Sequence, residues 1–226
     1  MVRRNFKKTD NEEENVFWVT MSDLLLGLTM VFMTLFVLAM TGFTQNKMAS
    51  QQTQSEVAKE LTKSLKENNV DAKVDSLTSQ VEISDLELFE VNSYKLSKKG
   101  EQYLDKFVPV YVNTIFSNPK LSSKILNVSI QGHTDSQTFK NVNSQEEQFV
   151  KNMDLSLKRA NAVEEYIFKT KYDKKFTNML IKTLIVEGKS YTEPVLVNGK
   201  EDYAKSRRVE LKLFVKDSNI QDFLVK

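Results

Sequence analysis

The sequence predicts an α+β protein in which one N-terminal transmembrane helix precedes a domain of helices packed on a mixed β-sheet. Three observations carry that prediction. Residues 16–43 form an apolar run of 28 residues with Asp23 as its sole charge. Beyond about residue 70, stretches of period-two alternation take turns with stretches of helical periodicity. The 226-residue chain leaves about 150 residues for that part, enough for one domain with its own core.

In chain order, residues 1–15 read as a charged tail and residues 16–43 as a helix longer than the about 20 residues that cross a bilayer. The run exceeds a signal-peptide core and no A-x-A site follows it, so it is expected to remain as an anchor. Arg3, Arg4, Lys7 and Lys8 precede it, and only Lys47 lies in the 15 residues after it. The flank richer in Lys and Arg stays cytoplasmic. The N-terminus is therefore expected inside a bacterial inner membrane and the C-terminal domain in the periplasm.

Within the span, Thr20, Gly27, Thr34 and Thr41 recur every seven residues, with Asp23 three after Thr20 and four before Gly27. These five share one helical face. With Ser22 beside the acid, the small and hydroxyl residues are read as an ion path or as a face that another helix approaches closely. A carboxylate at membrane depth is expensive, and by default it serves a partner, a cavity or an ion path. At about 1.5 Å per residue, Asp23 lies about 10 Å inside the cytoplasmic boundary.

Residues 44–56 are polar and read as a linker, after which Val57, Leu61 and Leu65 predict a short amphipathic helix ending near Asn68 and Asn69. A spacer is the expected role of residues 44–69, with a plug or a dimer contact as the alternatives. The domain is expected over residues 70–216 and a tail over 217–226. Val81 and Ile83 predict a strand. Ser97 can cap a helix through Phe107, with Pro109 kinking it or opening a second turn before Phe116. Residues 125–131 read as a half-buried strand with Leu126, Val128 and Ile130 on one face. A helix over 154–169 carries Leu155, Ala162, Val163, Tyr166 and Ile167 inward. Strands at 183–187 and 207–215 complete the sheet, the last with Val209, Leu211, Leu213 and Val215 on one face.

Composition narrows the function. With 32 basic and 30 acidic residues the net charge is +2, which argues for neither a nucleic acid nor a strongly anionic partner. The absence of cysteine leaves the compartment open. His133 is the only histidine, and without a cysteine, a G-x-S-x-G elbow or a second ligand it supports neither hydrolysis nor a metal site. No enzyme activity, cofactor or metal is expected.

Gly132-His133-Thr134-Asp135, then Asn152-Met153-Asp154-Leu155-Ser156-Leu157-Lys158-Arg159-Ala160, resemble the GHTD and N-x-x-L-S-x-x-R-A motifs of OmpA-like peptidoglycan-binding domains. Gly188 with Pro194, and Ser206-Arg207-Arg208-Val209-Glu210, follow in the family's order. The resemblance covers roughly residues 80 to 215 and implies a diaminopimelate-bearing stem peptide as ligand. Asp135 would then take its ammonium and Arg159 grip its carboxylate with two parallel hydrogen bonds. Asn152, Leu155 and Arg208 would line or brace the same pocket. This chain departs from the family in a glycine-free loop after Asp135, longer by about nine residues, in Ser190 for a glycine and in Ser206 for an asparagine.

A cytoplasmic tail, one acid-bearing helix and this domain are together similar to the B subunits of ion-driven stators, such as flagellar MotB and PomB. Trp18, Asp23 and Phe32 resemble that family's W…AD…FF pattern, and the short chain with SDLLLGLTMVF looks closer to the ZorB family of the Zorya anti-phage system. The resemblance implies a homodimer inside a pentameric ring of multi-pass A subunits, anchored to peptidoglycan. It also implies that Asp23 carries the ion, preferably a proton, with sodium as the alternative. The competing readings are a passive peptidoglycan tether, which needs no intramembrane acid, and a flagellar-type stator.

Overall fold

The computed structural model describes residues 6–90 and 93–216. Residues 1–5, with Arg3 and Arg4, and the tail expected at 217–226 lie outside the described residues. The chain divides into two compact units, residues 1–48 and 49–226.

Helix α1 runs over Phe6–Glu67. In the first unit it is long and apolar enough to cross a membrane, with a mean hydropathy of 2.3 over its best window and none of that window buried. Leu24, Phe32, Phe36 and Leu38 are all exposed, leaving an apolar surface for lipid or partner helices. The linker expected at 44–56 is instead helical. That segment holds neither glycine nor proline, and its four glutamines, with Lys47, Met48, Ala49 and Glu56, all sustain a helix.

In the second unit, the last turns of α1 belong to the domain core. Val57, Leu61 and Leu65 are buried with Phe107, Ile115, Val128 and Leu211, so the four-residue spacing reports packing against the chain's own domain. The helix stops where the sequence places its end. Asn69 takes a positive φ of 53°, and Val70 N–H donates to the Leu65 carbonyl at 2.9 Å, closing the C-terminus.

The main sheet joins β1 (Lys73–Val74), β2 (Val81–Ser84), β3 (Ile125–His133), β4 (Leu184–Gly188) and β7 (Arg208–Val215) in the order β1-β2-β7-β3-β4. Only β3 and β4 are parallel, which requires a crossover, supplied by α5 (Gln145–Lys169) and α6 (Thr177–Thr183). Val81, Ile83, Val128, Ile130, Val209, Leu211 and Leu213 form the inner face and are buried. Helix α3 (Lys98–Phe116) covers them together with α5, while α2 (Asp85–Leu88) and α4 (Pro119–Ser122) are single turns on either side of α3. A small hairpin, β5 (Leu196–Val197) with β6 (Lys200–Glu201), leads into α7 (Tyr203–Ser206).

Three elements differ from expectation. Helix α3 continues through Pro109, because Val108, Tyr111, Val112 and Ile115 are buried around it and tertiary packing outweighs the lost hydrogen bond. Leu126 is 49% exposed while Ile125 is buried, because the register shifts between Ile125 and Asn127. Helix α5 begins at Gln145, nine residues before the start expected. Ser144 caps it by accepting from Glu147 N–H at 3.1 Å, and Glu147 Oε2 accepts from Asn143 N–H at 3.1 Å.

Candidate functional site

The C-terminal end of β3 is clamped from two sides. A Cβ on Gly132 would collide with the Ser156 carbonyl, so α5 packs directly on the strand there. Ser156 Oγ, in turn, accepts from Ser190 N–H at 3.0 Å, and the Ser190 carbonyl accepts from Thr134 N–H at 2.9 Å. Ser190 is fully buried with a φ of 52°, the left-handed region in which the related pattern has glycine. The clamp therefore survives the substitution and aims Thr134 and Asp135 outward from the sheet.

Asp135 opens into a cleft of about 720 Å³ lined by Asp85, Phe89, Asn152, Leu155, Arg159 and Arg207, together with the loop Gln137, Thr138, Phe139 and Lys140. Of the six charged residues that line it, Glu90 and Lys140 are exposed, and the other four meet one another. Arg159 Nη2 lies 3.1 Å from Asp85 Oδ1, Arg207 Nε 3.7 Å from Asp85 Oδ2, and Arg207 Nη1 contacts Asp135 Oδ2. Arg159 Nε donates to the Ser93 carbonyl at 3.1 Å, and its guanidinium stacks over Phe89 at 5.3 Å from the ring centroid.

Burial dominates the electrostatics of Asp85 and Arg159. It pushes the Asp85 carboxyl above the ordinary carboxylate range, an effect only partly opposed by Arg159 and Arg207. It also pulls the Arg159 guanidinium down, against the attraction of Asp85. Arg159 Nη1 and Thr134 Oγ1 are buried and find no partner among the described residues. The cleft thus offers an acid, a spare guanidinium donor and zero net charge, which suits a group carrying both an ammonium and a carboxylate.

Of the residues singled out in the sequence, Asp135, Arg159, Asn152 and Leu155 line this cleft. Arg208 does not. It is the first residue of β7 and pairs in register with His133, so alternation turns it to the polar face of the sheet, where Nε donates to Glu210 Oε1 at 2.6 Å. Its neighbour Arg207, one residue before the strand, faces the cleft instead. Asp85 was also missed, as it carries no motif signature and reaches the site through β2. The loop after Asp135 is shorter than its sequence suggests, because residues 145–151 belong to α5. The remainder is tied down by Gln148, whose Oε1 accepts from Phe139 N–H at 3.1 Å and whose Nε2 donates to the Gln137 carbonyl at 2.6 Å.

On the polar face, His133 Nε2 lies 3.3 Å from Glu210 Oε2. Burial would raise the Glu210 carboxyl, but His133 and Arg208 beside it hold it down at about 2. His133, Glu193 and Glu210 place potential metal-ligand atoms within 4.8 Å of one another. Arg208 already neutralises Glu210, which disfavours a second cation there.

In the membrane-type helix, Asp23, Thr20, Gly27, Thr34 and Thr41 fall on one side of α1. Ser22 does not: one residue before Asp23, it is rotated about 100° around the helix and leaves the stripe. Thr20 donates to the Val16 carbonyl at 2.9 Å, Ser22 to Trp18 at 2.7 Å and Thr41 to Val37 at 2.7 Å, and Thr34 bonds Met30 likewise. The hydroxyl protons therefore satisfy α1 itself, and no other side chain of the described unit offsets Asp23.

Comparison with known proteins agrees with this architecture. The OmpA family matches residues 88–208. The chain is 30% identical to Zorya protein ZorB of Escherichia coli strain Crooks over 215 residues, covering 89% of each chain. It is 22% identical over 222 residues to Zorya protein ZorB of Escherichia coli O139:H28, covering 92% of this chain and 83% of that one. A putative MotB-like protein from Desulfovibrio vulgaris has the same fold, with a TM-score of 0.51 at 18% identity over 76% of this chain and 97% of its own.

Proposed function

The chain belongs to the OmpA family and, along most of its length, to the Zorya ZorB family, and from that premise we propose that it is the B subunit of an ion-driven membrane motor in anti-phage defence. The C-terminal domain grips diaminopimelate-type peptidoglycan through Asp135 and Arg159. The anchor is single-pass in a bacterial inner membrane, with its N-terminus cytoplasmic and its domain periplasmic. Two copies stand within a pentameric ring of multi-pass A subunits. The reading involves binding and ion movement and no covalent catalysis.

The observation that carries this reading is Asp23, the sole charge of the apolar run, on the stripe of small residues. A carboxylate that binds a proton becomes neutral and passes an apolar wall that rejects the charged form, so ion binding alters which helix packing is favoured. Each unit charge falling through 100 mV releases about 2.3 kcal/mol. A proton is the ion preferred, since a lone carboxylate binds it without further ligands, and sodium is the alternative. With the domain fixed to the wall, it is the surrounding ring that turns.

Asp23→Asn tests the motor. The amide is nearly isosteric but exchanges no proton near neutral pH, so phage protection should be lost while membrane insertion and co-purification with the A subunit persist. Full protection by this variant would reduce the chain to a passive tether. Asp23→Glu should retain partial activity, because the added methylene moves the carboxylate by roughly 1 Å against a close-packed partner.

A further inference from the structure

Resting on the wall-binding reading above, we propose that Arg207 determines which stem peptide the cleft accepts. In the chain by itself it pairs with the acids that would take the ligand ammonium, and with a ligand bound it pairs with the ligand carboxylate. Asp135 is the acid that takes a ligand ammonium, yet its Oδ2 is already held by Arg207 Nη1. Arg207 also reaches Asp85 from the same side, at 3.7 Å. A ligand cation therefore competes with this guanidinium for its acids.

Arg207 is the member of the quartet with room to move. Its side chain is 28% exposed, against 4% for Arg159 and 10% each for Asp85 and Asp135. Its backbone is fixed, with its N–H donating to the Tyr203 carbonyl at 3.2 Å and its carbonyl accepting from Asp85 N–H at 3.1 Å. Displacement is a swing of the side chain alone.

The outcome of that swing depends on the ligand. A lysine side chain brings an ammonium and nothing for the displaced guanidinium, so the neutral quartet acquires a net positive charge in a partly desolvated cleft. A diaminopimelate end brings a carboxylate on the same carbon as the ammonium. Arg207, with the unpartnered Arg159 Nη1, then regains an anion, and the cleft stays neutral. Selectivity follows from making the wrong ligand leave a cation unpaired.

The test uses the full chain in detergent and two stem tetrapeptides that differ only in meso-diaminopimelate or L-lysine at the third residue. Wild type should prefer the diaminopimelate peptide. Arg207→Gln should bind the lysine peptide about fivefold more tightly and the diaminopimelate peptide about fivefold more weakly, the scale of a part-exposed ion pair. Arg207→Lys should keep part of the preference. Equal weakening of both peptides in an Arg207→Gln protein with an unchanged melting temperature would overturn the proposal, as would an unchanged ratio. If wild type and Asp135→Ala bind the diaminopimelate peptide alike, the wall-binding reading itself falls.

Discussion

Arg159 owes its reach into the cleft to three contacts that do not involve a ligand: Asp85, the Ser93 carbonyl and the Phe89 ring. Its side chain is therefore pre-positioned, with Nη1 left over. Arg159→Ala and Asp135→Ala should each weaken pull-down by purified diaminopimelate-type peptidoglycan more than tenfold, the range seen when a hydrogen-bonded charge is truncated. Retention of wild-type binding by the double variant would dismiss this pocket. Arg159→Ala also leaves Asp85 buried without its closest cation, which costs about 3 kcal/mol, so a thermal melt must accompany it. A second residue-scale prediction concerns acid. Glu210 has an ordinary value of 4.5 in the unfolded chain and about 2 in the fold, so the unfolded chain takes up the proton first as pH falls. The stability this group contributes is complete above pH 4.5 and should fade by on the order of 3 kcal/mol as pH drops through about 2. Denaturant melts across this range should show a flatter acid limb for Glu210→Gln than for wild type. An equal slope in both would place the acid sensitivity elsewhere.

At the scale of elements, the end of α1 gives the most discriminating case. If residues 57–65 were only a spacer, Leu61→Ala would change stability by no more than about 0.5 kcal/mol. Leu61 is fully buried in the domain core, so the substitution should cost about 2–5 kcal/mol, read as a lower denaturation midpoint of the second unit. The spacing of Val57, Leu61 and Leu65 was legible as amphipathicity, but a stripe does not name the surface it meets, which is why a plug and a dimer contact stood beside a spacer. Ser144 and Glu147 likewise wrote the start of α5 into the sequence as a capping signal, obscured because polar Gln and Glu fill its first turns. Strand alternation located β7 and its inner face correctly. It failed at Leu126, where a bulge resets the phase, and it could not separate Arg207 from Arg208 without knowing where the strand begins. The cleft's motif residues were readable because they are local runs. Asp85 and Arg207 entered only through pairing between distant segments, which no local pattern encodes.

For the whole molecule, the proposed motor requires that two copies bring their acids together within a ring, whereas a passive tether has no such need. The stripe of Thr20, Gly27, Thr34 and Thr41 with Asp23 is where such a contact would form, since small residues allow close helix approach and lipid alone gives no reason to gather them on one side. Beyond the backbone of its own helix turns, no atom of the described chain lies within 4 Å of a Cβ built on Gly27, so a cysteine there meets no other side chain of the protomer. The native sequence contains no cysteine, which makes any disulfide attributable to the introduced residue. Gly27→Cys or Thr34→Cys, co-expressed with the A-type membrane subunit that the proposal requires and oxidised in membranes, should yield a cross-linked dimer that co-purifies with that subunit. Cysteines on the opposite side of α1, such as Leu25→Cys, should cross-link far less, because two residues displace a side chain by about 200°. Equal cross-linking from both sides would indicate random collision in the bilayer, and a strictly monomeric species without a co-purifying partner would leave the chain as a tether.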